Sequence, residues 1–464
     1  MRKAAMRKAA SMNVKGARVV VVGMARSGVA AVELLIERGA NVRAVDEKGT
    51  GDRGQGTVPI EPQTEAAFAD ADLIVLSPGV PADLAVLNAA RSRGVPVIGD
   101  LELASWYLKG NIIGITGSNG KTTTTALTGH ILESSGIAAQ VGANIGRPPA
   151  SMVKTSRAGQ WNVLELSSFE LETTESFHAG IAAALNVTPD HLDRHHTFEN
   201  YAEAKARLFL NQRPGDFAVL NADDPVCRGY ANRSAATAVW FSSTGEVSPG
   251  AFLRDGQIML FGDVLMPARE VPLRGVHNLE NTMAASTIAH LAGATRAQIR
   301  AAVATFPGVE HRLEFVREAG GVEWFNDSKA TNVDAALKAI AAFEGGLWVI
   351  LGGKDKHSDY TPLAAALRSK ARGALLIGAA AEKIERQLCK EMEGGAVEII
   401  RCGTLAAAVA EAHARAVRGD TVLLAPACAS FDQFENFEHR GREFKRLAQA
   451  LVQEQALGQE MEPR

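Results

Sequence analysis

The string GITGSNGKTTTT has the residues of a binding site for a nucleotide phosphate. It follows an apolar run and precedes a helical pattern, which predicts a strand, a tight turn and a helix N-terminus. Gly117 and Gly120 let backbone N–H groups approach an anion without interference from a Cβ atom. Lys121 supplies a positive charge, and Thr122 can offer its hydroxyl to Mg²⁺. The usual phosphate loop has a glycine where this chain has Ile115, so this loop is a shortened variant.

A second glycine-rich turn, GMARSG at residues 23–28, follows an apolar run near the start of the chain. With Asp46 at the end of the next predicted strand, it is typical of dinucleotide binding, except that Ala25 replaces the middle glycine. Ala25 would hinder close approach of the backbone to a pyrophosphate, and a separate phosphate loop lies downstream. We therefore expect a different nucleotide group, such as a nucleotide-sugar diphosphate. The Ser-Pro-Gly string at 77–79 ends a third predicted strand and faces the same crevice.

Acidic and histidine side chains follow the phosphate loop. Glu165 ends a predicted strand and could give Mg²⁺ an oxygen ligand, although acidic residues at strand ends are common. The string NVTPDHLDRHH at 186–196 suggests a metal or substrate carboxylate site. A solvated surface loop is the alternative, above all for His195 and His196. Lys205 lies on a helical pattern beyond, and its residue type alone predicts a surface position.

Three later strings place polar side chains at turns: HNLEN at 277–281, NDSKATN at 326–332 and GGKDK at 352–356. The last predicts a strand that runs into a Gly-Gly turn with cations, which suits a substrate anion. The string PACAS at 426–430 follows another predicted strand, and its small residues permit close backbone approach. Cys428 has no evident histidine partner, so we interpret it as a small filler rather than a nucleophile.

Short β-branched runs alternate with helical patterns along the chain, which predicts an α/β protein with mostly parallel sheets. The predicted strands are 18–22, 42–46, 72–77, 112–116, 163–166, 182–187, 347–351, 374–378, 397–400 and 421–425. Residues 250–272 alternate apolar and polar side chains around Asp-Gly and Gly-Asp turns, which predicts a small antiparallel elaboration. We predict three domains: a Rossmann-like one (1–100), a central phosphate-loop ATPase (101–308) and a second Rossmann-like one (309–464).

Composition narrows the classes of partner. The 464 residues are 46% hydrophobic and 22% charged with a formal net charge of -3, which favours small molecules over nucleic acid or a membrane surface. The four cysteines show no C-x-x-C spacing, so we expect reduced thiols in the cytoplasm and no zinc. The basic N-terminal repeat MRKAAMRKAA lacks a signal-peptide core, and translation could instead begin at Met6 or Met12. No apolar run approaches membrane-spanning length.

Together these strings resemble the Mur ligase family of peptidoglycan synthesis, along the whole chain and in order. TGSNGKTT is shared by Mur ligases and folylpolyglutamate synthetases. The strings LELSSFELE, NVTPDHLDRH, NDSKATN and PACASFDQFENFEHRG are most similar to the members that add D-glutamate. The string types that mark the members adding L-alanine, diaminopimelate or lysine are missing. The resemblance implies a UDP-binding domain, a central ATPase and an amino-acid-binding domain.

The resemblance also implies a reaction. The terminal carboxylate of UDP-N-acetylmuramoyl-L-alanine attacks the γ-phosphate of ATP, and the D-glutamate amine then attacks the resulting acyl phosphate through a tetrahedral intermediate. ATP and two Mg²⁺ ions are implied, with a CO₂-derived carbamate on Lys205 as a ligand of the second ion. This reading replaces the surface position expected from residue type. We expect a cytoplasmic monomer that binds these small molecules, without nucleic acid and without membrane insertion.

The family motifs assign roles to residues of this chain. The implied catalytic residues are Lys121, Glu165, His191 and Lys205. The implied metal ligands are Thr122, Glu165, His191 and carbamylated Lys205. The implied ATP-binding residues are Gly117, Ser118, Asn119, Gly120, Lys121, Thr122, Thr123, Asn278, Asn281, Arg312, Asp327 and Lys329. The implied UDP-substrate residues are Arg26, Ser27, Asp46, Ser77, Pro78, Gly79 and Asn144. The implied D-glutamate residues are Thr331, Lys356, Ser430 and Phe437.

Two details and three rival functions stay open. Glu47 stands where the family usually has threonine, which leaves the uracil contacts open, and Lys354 is an alternative to Lys356 as the D-glutamate cation. A folylpolyglutamate synthetase would lack the opening GMARSG unit. An NAD(P)-dependent oxidoreductase would leave the phosphate loop and the histidine string unused. A non-catalytic nucleotide-gated binding module is the third, and ATP hydrolysis that depends on an acceptor would exclude it.

Overall fold

The structure is a computed structural model that describes residues 13–47, 58–356, 358–391 and 397–459, with side chains through residue 451. The basic N-terminal repeat and the alternative start sites lie outside these residues. The chain divides into two compact units. The first holds the chain through Val271 and residues Glu280–Phe306, and the second holds Pro272–Leu279 and the chain from Pro307 onward. The domain boundaries at residues 100 and 308 stay predictions.

The strands are β1 Arg18–Val22, β2 Asn41–Asp46, β3 Ile60–Pro62, β4 Leu73–Leu76, β5 Val97–Gly99, β6 Asn111–Thr116, β7 Ala139–Ala143, β8 Trp161–Glu165, β9 Ile181–Ala184, β10 Phe217–Asn221, β11 Thr237–Ser242, β12 Gly250–Arg254, β13 Gln257–Leu260, β14 Asp263–Pro267, β15 Glu314–Ala319, β16 Val322–Asn326, β17 Leu347–Gly352, β18 Ala371–Ile377, β19 Glu398–Gly403 and β20 Thr421–Leu424. The α-helices are α1 Arg26–Glu37, α2 Ala85–Ser92, α3 Asp100–Ser105, α4 Lys121–Ser134, α5 Pro149–Met152, α6 Ser168–Leu171, α7 Leu192–His195, α8 Phe198–Ala206, α9 Pro225–Tyr230, α10 Val276–Leu291, α11 Arg296–Ala304, α12 Val333–Ala341, α13 Leu363–Lys370, α14 Ala381–Glu391, α15 Leu405–Arg415 and α16 Phe437–Gln459. The short 3₁₀ turns are Glu65–Phe68, Arg207–Phe209, Ala231–Arg233 and Ala268–Glu270.

The first sheet is wholly parallel and has the order β3-β2-β1-β4-β5. Four of the five residues of β1 are buried valines, because helices cover both faces of a parallel sheet. Val22 pairs with Val45 on one side and Leu76 on the other. The turns that follow these three strands therefore meet at one edge of the sheet, as the Rossmann-like prediction requires.

The second sheet of the first unit has nine strands in the order β14-β13-β12-β11-β10-β9-β6-β8-β7. Strands β7 to β12 pair in parallel, while β12, β13 and β14 pair antiparallel, which confirms the predicted elaboration. In strand β6, Ile115 lies between Glu165 of β8 and Ala183 of β9. The phosphate loop after β6 is thus next to the ends of both neighbours.

The sheet of the second unit has the order β15-β16-β20-β17-β18-β19, and only β15 is antiparallel. This confirms the predicted parallel α/β arrangement of the C-terminal third. Because β17 lies beside β20, the turns at 352–356 and 426–430 leave the same sheet edge. Among the described residues, no helix is long and apolar enough to cross a membrane.

Candidate active site

The phosphate loop is hydrogen-bonded to the segment that follows β9. The backbone N–H of Ser118 donates to Asn186 O over 2.8 Å, and its hydroxyl donates to Thr188 O over 2.9 Å. The backbone N–H of Asn119 donates to Asn186 Oδ1, and the carbonyl oxygen of Asn119 accepts a hydrogen bond from Asn186 Nδ2. The strand predicted at 182–187 therefore ends at Ala184, because the residues after it bond to the loop. These bonds hold the loop open for an anion before α4 begins.

Two lysines share one carbonyl of this loop. Lys121 Nζ donates to Gly117 O over 2.8 Å and to Ser118 O over 2.9 Å. Lys205 Nζ also donates to Gly117 O over 2.8 Å, and its residue is only 1% exposed. Burial, together with the charge of Lys121, lowers the pKa of Lys205 well below its ordinary value. The surface position expected from residue type is wrong, because α8 packs this side chain inward over the ring of Tyr201.

Glu165 has the geometry of a metal ligand. It is 1% exposed at the end of β8, and its Oε1 accepts a 2.8 Å hydrogen bond from Asn144 Nδ2. Its Oε2 has no hydrogen-bond partner among the described residues. A buried carboxylate oxygen without a donor is costly, and a cation would compensate that cost. The donor chemistry therefore fits Mg²⁺.

The histidine string is only partly a surface loop. His191 is at a left-handed position with φ of 52°, its side chain is 45% exposed, and its ring lies edge-on to Phe169. His195 is buried, with Nε2 2.9 Å from Ser168 Oγ, so the surface expectation is wrong for it. Burial, with the charge of Arg194, lowers the pKa of His195 to about 4. His196, 69% exposed, matches the expectation.

Two side chains from neighbouring strand ends hydrogen-bond the backbone of the turn at 23–28. Asp46 Oδ2 accepts the backbone N–H of Met24 over 2.7 Å, and Ser77 Oγ donates to Gly23 O over 2.6 Å. A Cβ atom at Gly28 would lie 1.8 Å from Gly23 O, so the turn requires glycine there. The turn thus gathers the ends of β1, β2 and β4 at the expected crevice.

The other residues assigned to the UDP substrate lie on separate elements. Arg26, at the start of α1, donates to Gly146 O over 2.7 Å. Ser27 hydrogen-bonds Asp100, a buried carboxyl. Burial raises the pKa of that carboxyl to about 6. Asn144 follows β7 in the nine-stranded sheet, where it bonds Glu165. The structure therefore joins Arg26 to the 144–146 segment but places Asn144 beside the metal-type carboxylate.

The residues assigned to ATP divide between the units. Asn281 belongs to the first unit, where its Oδ1 accepts from Thr124 Oγ1 over 3.3 Å. Residues 117–123 of the phosphate loop also belong to the first unit, whereas Asn278, Arg312, Asp327 and Lys329 belong to the second. There, burial raises the pKa of Asp327 to about 6, against the opposing charges of Arg312 and Lys329.

The residues assigned to D-glutamate all belong to the second unit. Lys329 Nζ is 5.3 Å from the ring centroid of Phe437, and Thr331 N–H donates to Lys329 O. Lys354 N–H donates to Ala429 O over 2.8 Å, which brings the GGKDK turn against the segment that carries Ser430. Lys354 and Lys356 are both exposed, so the choice between them as the D-glutamate cation stays open.

The sequence motifs do not single out two ionisable residues that the structure buries, Glu170 and Arg440. Burial raises the pKa of Glu170 to about 8, with a further contribution from Asp100. Its carboxyl bonds the backbone and hydroxyl of Ser167 in a capping box, and the S-x-x-E spacing could have revealed this. Arg440 is fully buried and donates to Ser328 and to Cys428 O. No local sequence signal marks it, since its partners come from distant turns.

Three protein-family models match the chain in succession. They are "Mur ligase MurD-like, N-terminal domain" over residues 17–99, "Mur ligase middle domain" over 115–289 and "Mur ligase, glutamate ligase domain" over 311–428. This chain belongs to the Mur ligase family. The phosphate loop and the carboxylate Glu165 lie in the middle domain of the Mur ligase, and the GGKDK turn lies in its glutamate ligase domain.

Similar proteins cover nearly the whole Mur ligase chain. A protein of Solibacter usitatus is 58% identical over 95% of this chain and 99% of its own length. A protein of Koribacter versatilis is 48% identical over 96% of this chain and 100% of its own. Both relatives carry the name UDP-N-acetylmuramoylalanine--D-glutamate ligase.

Solved structures share the fold of this Mur ligase at low identity. UDP-N-acetylmuramate-alanine ligase of Thermotoga maritima matches with a TM-score of 0.57 and 18% identity, covering 94% of this chain and 99% of its own. A pseudomurein peptide ligase type C of Methanothermus fervidus matches with a TM-score of 0.58 and 18% identity, covering 94% and 100%. These likenesses establish the three-domain α/β fold.

We predict that Gly28→Ala weakens the binding of UDP roughly tenfold or more, because the new Cβ atom would displace the carbonyl of Gly23 and with it the turn. Isothermal titration calorimetry with UDP would measure this. Gly229→Ala is the matched control: it makes the same change within a helix where a Cβ atom meets nothing within 4 Å. Equal affinities for the two variants would contradict the role of the turn.

Proposed function

We propose that this Mur ligase joins D-glutamate to UDP-N-acetylmuramoyl-L-alanine, with ATP converted to ADP and phosphate, in cytoplasmic synthesis of peptidoglycan precursors. The observation that carries the proposal is the end-to-end likeness, at 58% identity, to a relative that bears this activity in its name. The phosphate loop with two lysines on the Gly117 carbonyl supports it, since the reaction must bring anions together.

In the first step, the substrate carboxylate attacks the γ-phosphorus of ATP. A carboxylate oxygen forms a bond to phosphorus while the bond to the β–γ bridging oxygen breaks, and ADP leaves. The approach of two anions needs positive charge and oriented donors. We assign these roles to Lys121 and to the loop at residues 117–123. Its donors to the phosphate are groups other than the backbone N–H of Ser118 and Asn119, which already donate to Asn186. Asn278, Asn281, Arg312, Asp327 and Lys329 are assigned to the nucleotide as well.

We further propose that Thr122, Glu165, His191 and carbamylated Lys205 hold two Mg²⁺ ions. The Oε2 of buried Glu165, for which the described part of the chain offers no hydrogen-bond partner, supports a cation there. Mg²⁺ supplies charge neutralisation for the phosphate oxygens when it is bound. Within the chain, Asn144 holds the Glu165 carboxylate in one orientation through Oε1.

The environment of Lys205 suits reaction with CO₂. Since burial lowers the pKa of its amine, the neutral nucleophilic form persists to lower pH than for a surface lysine. The nitrogen forms a bond to the carbon of CO₂ and releases one proton, which converts an ammonium position into an anionic oxygen ligand. The carbamate would place a negative charge near Lys121, whose positive charge opposes protonation of the Lys205 amine.

In the second step, the amine of D-glutamate attacks the acyl carbonyl, gives a tetrahedral intermediate and expels phosphate. We assign the binding of D-glutamate to Thr331, Ser430, Phe437 and one of the two exposed lysines, Lys354 or Lys356. A cation and hydroxyl donors suit the two carboxylates of this amino acid. Arg26, Ser27, Asp46, Asn144 and the Ser-Pro-Gly string at 77–79 are assigned to the UDP substrate. We expect a monomer.

The decisive experiment measures phosphate release from ATP with UDP-N-acetylmuramoyl-L-alanine and one amino acid at a time. We expect release with D-glutamate, and not with L-glutamate, L-alanine, L-lysine or diaminopimelate. Release with another amino acid would retain the ATP site but overturn the acceptor assignment. No release with any of them would favour the non-catalytic binding module.

We expect Glu165→Gln to raise the half-saturating Mg²⁺ concentration roughly 10- to 100-fold, because the amide keeps the shape of the side chain but lacks its charge. A Mg²⁺ titration of the phosphate-release rate would measure the shift. Glu133→Gln, the same change at an exposed position of α4, should leave the titration unchanged. An unaltered Mg²⁺ requirement in the Glu165 variant would exclude this carboxylate as a ligand.

Lys205→Ala should lower turnover roughly 100-fold or more, and added bicarbonate should not restore it. In the unsubstituted protein, ¹³C-bicarbonate should give a carbamate signal by nuclear magnetic resonance that the variant lacks. Lys154→Ala removes a lysine whose side chain is 47% exposed and should keep turnover and signal. Full activity of the Lys205 variant would contradict the carbamate assignment.

A further inference from the structure

The two turns that carry the proposed D-glutamate residues are joined by more than backbone pairing. Where β17 and β20 end, Gly352 N–H donates to Pro426 O, and Lys354 N–H donates to Ala429 O, each over 2.8 Å. A Cβ atom at Gly353 would lie 2.2 Å from Ala429 O, so the turns approach as closely as backbone permits. This contact sets the distance between the lysines of one turn and Ser430 of the other.

A chain of side-chain hydrogen bonds links the same two turns. Tyr360 is fully buried, and its hydroxyl donates to Asp355 Oδ1 over 2.9 Å. The thiol of Cys428 lies 3.0 Å from the same hydroxyl oxygen. Because the one proton of the tyrosine hydroxyl goes to the carboxylate, the thiol is the donor in the second bond. Asp355 Oδ2 accepts from Lys383 Nζ over 2.9 Å.

The protonation states agree with this chain. Burial raises the pKa of Cys428 to about 11 and also raises the pKa of the Tyr360 hydroxyl, so both groups keep their protons at neutral pH. Although burial opposes the shift, hydrogen bonds from Lys383 and Tyr360 hold the pKa of Asp355 below its ordinary value. Asp355 is therefore a carboxylate with three donors, since the backbone N–H of Ser358 also donates to its Oδ1 over 3.2 Å.

The position of Asp355 in the turn explains how these hydrogen bonds affect the two lysines beside it. Asp355 lies between Lys354 and Lys356, both of which are exposed while Asp355 is partly buried. Anchoring the central carboxylate inward leaves the two cations on the outer side of the turn. Arg440 stabilises the turn at 426–430, since its guanidinium donates to the carbonyls of Cys428 and Ala429.

We propose that Tyr360 is a positioning residue for D-glutamate, holding the cationic turn and the turn that carries Ser430 in register through Asp355 and Cys428. The inference rests on the proposed function, which places D-glutamate between these turns. Tyr360 acts through its neighbours and is not assigned a contact with substrate. Pre-organised supporting side chains of this kind determine how precisely a binding site is held.

The test compares steady-state kinetics of Tyr360→Phe and the unsubstituted full chain. We expect the KM for D-glutamate to rise roughly 10-fold, with kcat within about twofold and the KM values for ATP and UDP-N-acetylmuramoyl-L-alanine unchanged. A matched control is Tyr230→Phe, which removes another buried hydroxyl, donated to Ala202 O over 2.7 Å in the first unit. The control should leave all three KM values unchanged.

A second variant keeps the test decisive if Tyr360→Phe folds poorly. Asp355→Ala breaks the same chain from its more exposed end and should raise the same KM selectively. The double variant should be no worse than the weaker-binding single variant, because both remove one chain. An unchanged KM for D-glutamate, a uniform rise in all three KM values, or additive effects would overturn the inference. Failure of the unsubstituted protein to use D-glutamate would instead contradict the proposed function.

Discussion

The carbonyl of Gly117 accepts hydrogen bonds from two lysines, and this crowding of positive charge governs the first unit. Lys121 and Lys205 repel each other at a place where burial already penalises charge. Such an arrangement is stable when anions approach it or when one amine gives up its charge. Phosphate binding satisfies the first condition, and the carbamate proposed for Lys205 satisfies the second. The Glu165 carboxylate, with one oxygen lacking a partner among the described residues, ends β8 beside the strand that leads into this loop.

Parallel pairing determines where the chemistry is placed in each sheet. The strand register puts the ends of β1, β2 and β4 together, and likewise those of β6, β8 and β9. Each group of turns is then fixed by side chains that bond backbone: Asp46 and Ser77 in one, Asn186 in the other. The second unit repeats this with β17 and β20. The glycines at the contacts are needed because backbone meets backbone there.

Much of the fold could be predicted from the sequence, because buried parallel strands appear as short β-branched runs and turns as Gly, Pro and Asp strings. The burial of individual polar residues could not be predicted from the sequence. A helical lysine such as Lys205 looks like any surface lysine until α8 packs, and His195 looks like its exposed neighbour His196. Arg440 bonds turns about 110 residues and 12 residues away, a relation that local pattern does not contain. The motif strings predict which segments form each site. Which side chains of those segments are buried depends on packing between distant parts of the chain.

The nine-stranded sheet ends in two edges that would attract strands of other chains if they were open. At one edge, β14 is short, begins with the charge of Asp263 and ends at Pro267, which has no N–H to offer. At the other, the chain folds back beside β7: Ala143 N–H donates to Arg147 O, and the side-chain amide of Gln140 donates to Met152 O. The last strand of the antiparallel elaboration thus carries a charge and a proline at its ends, two features that disfavour pairing with a strand of another chain.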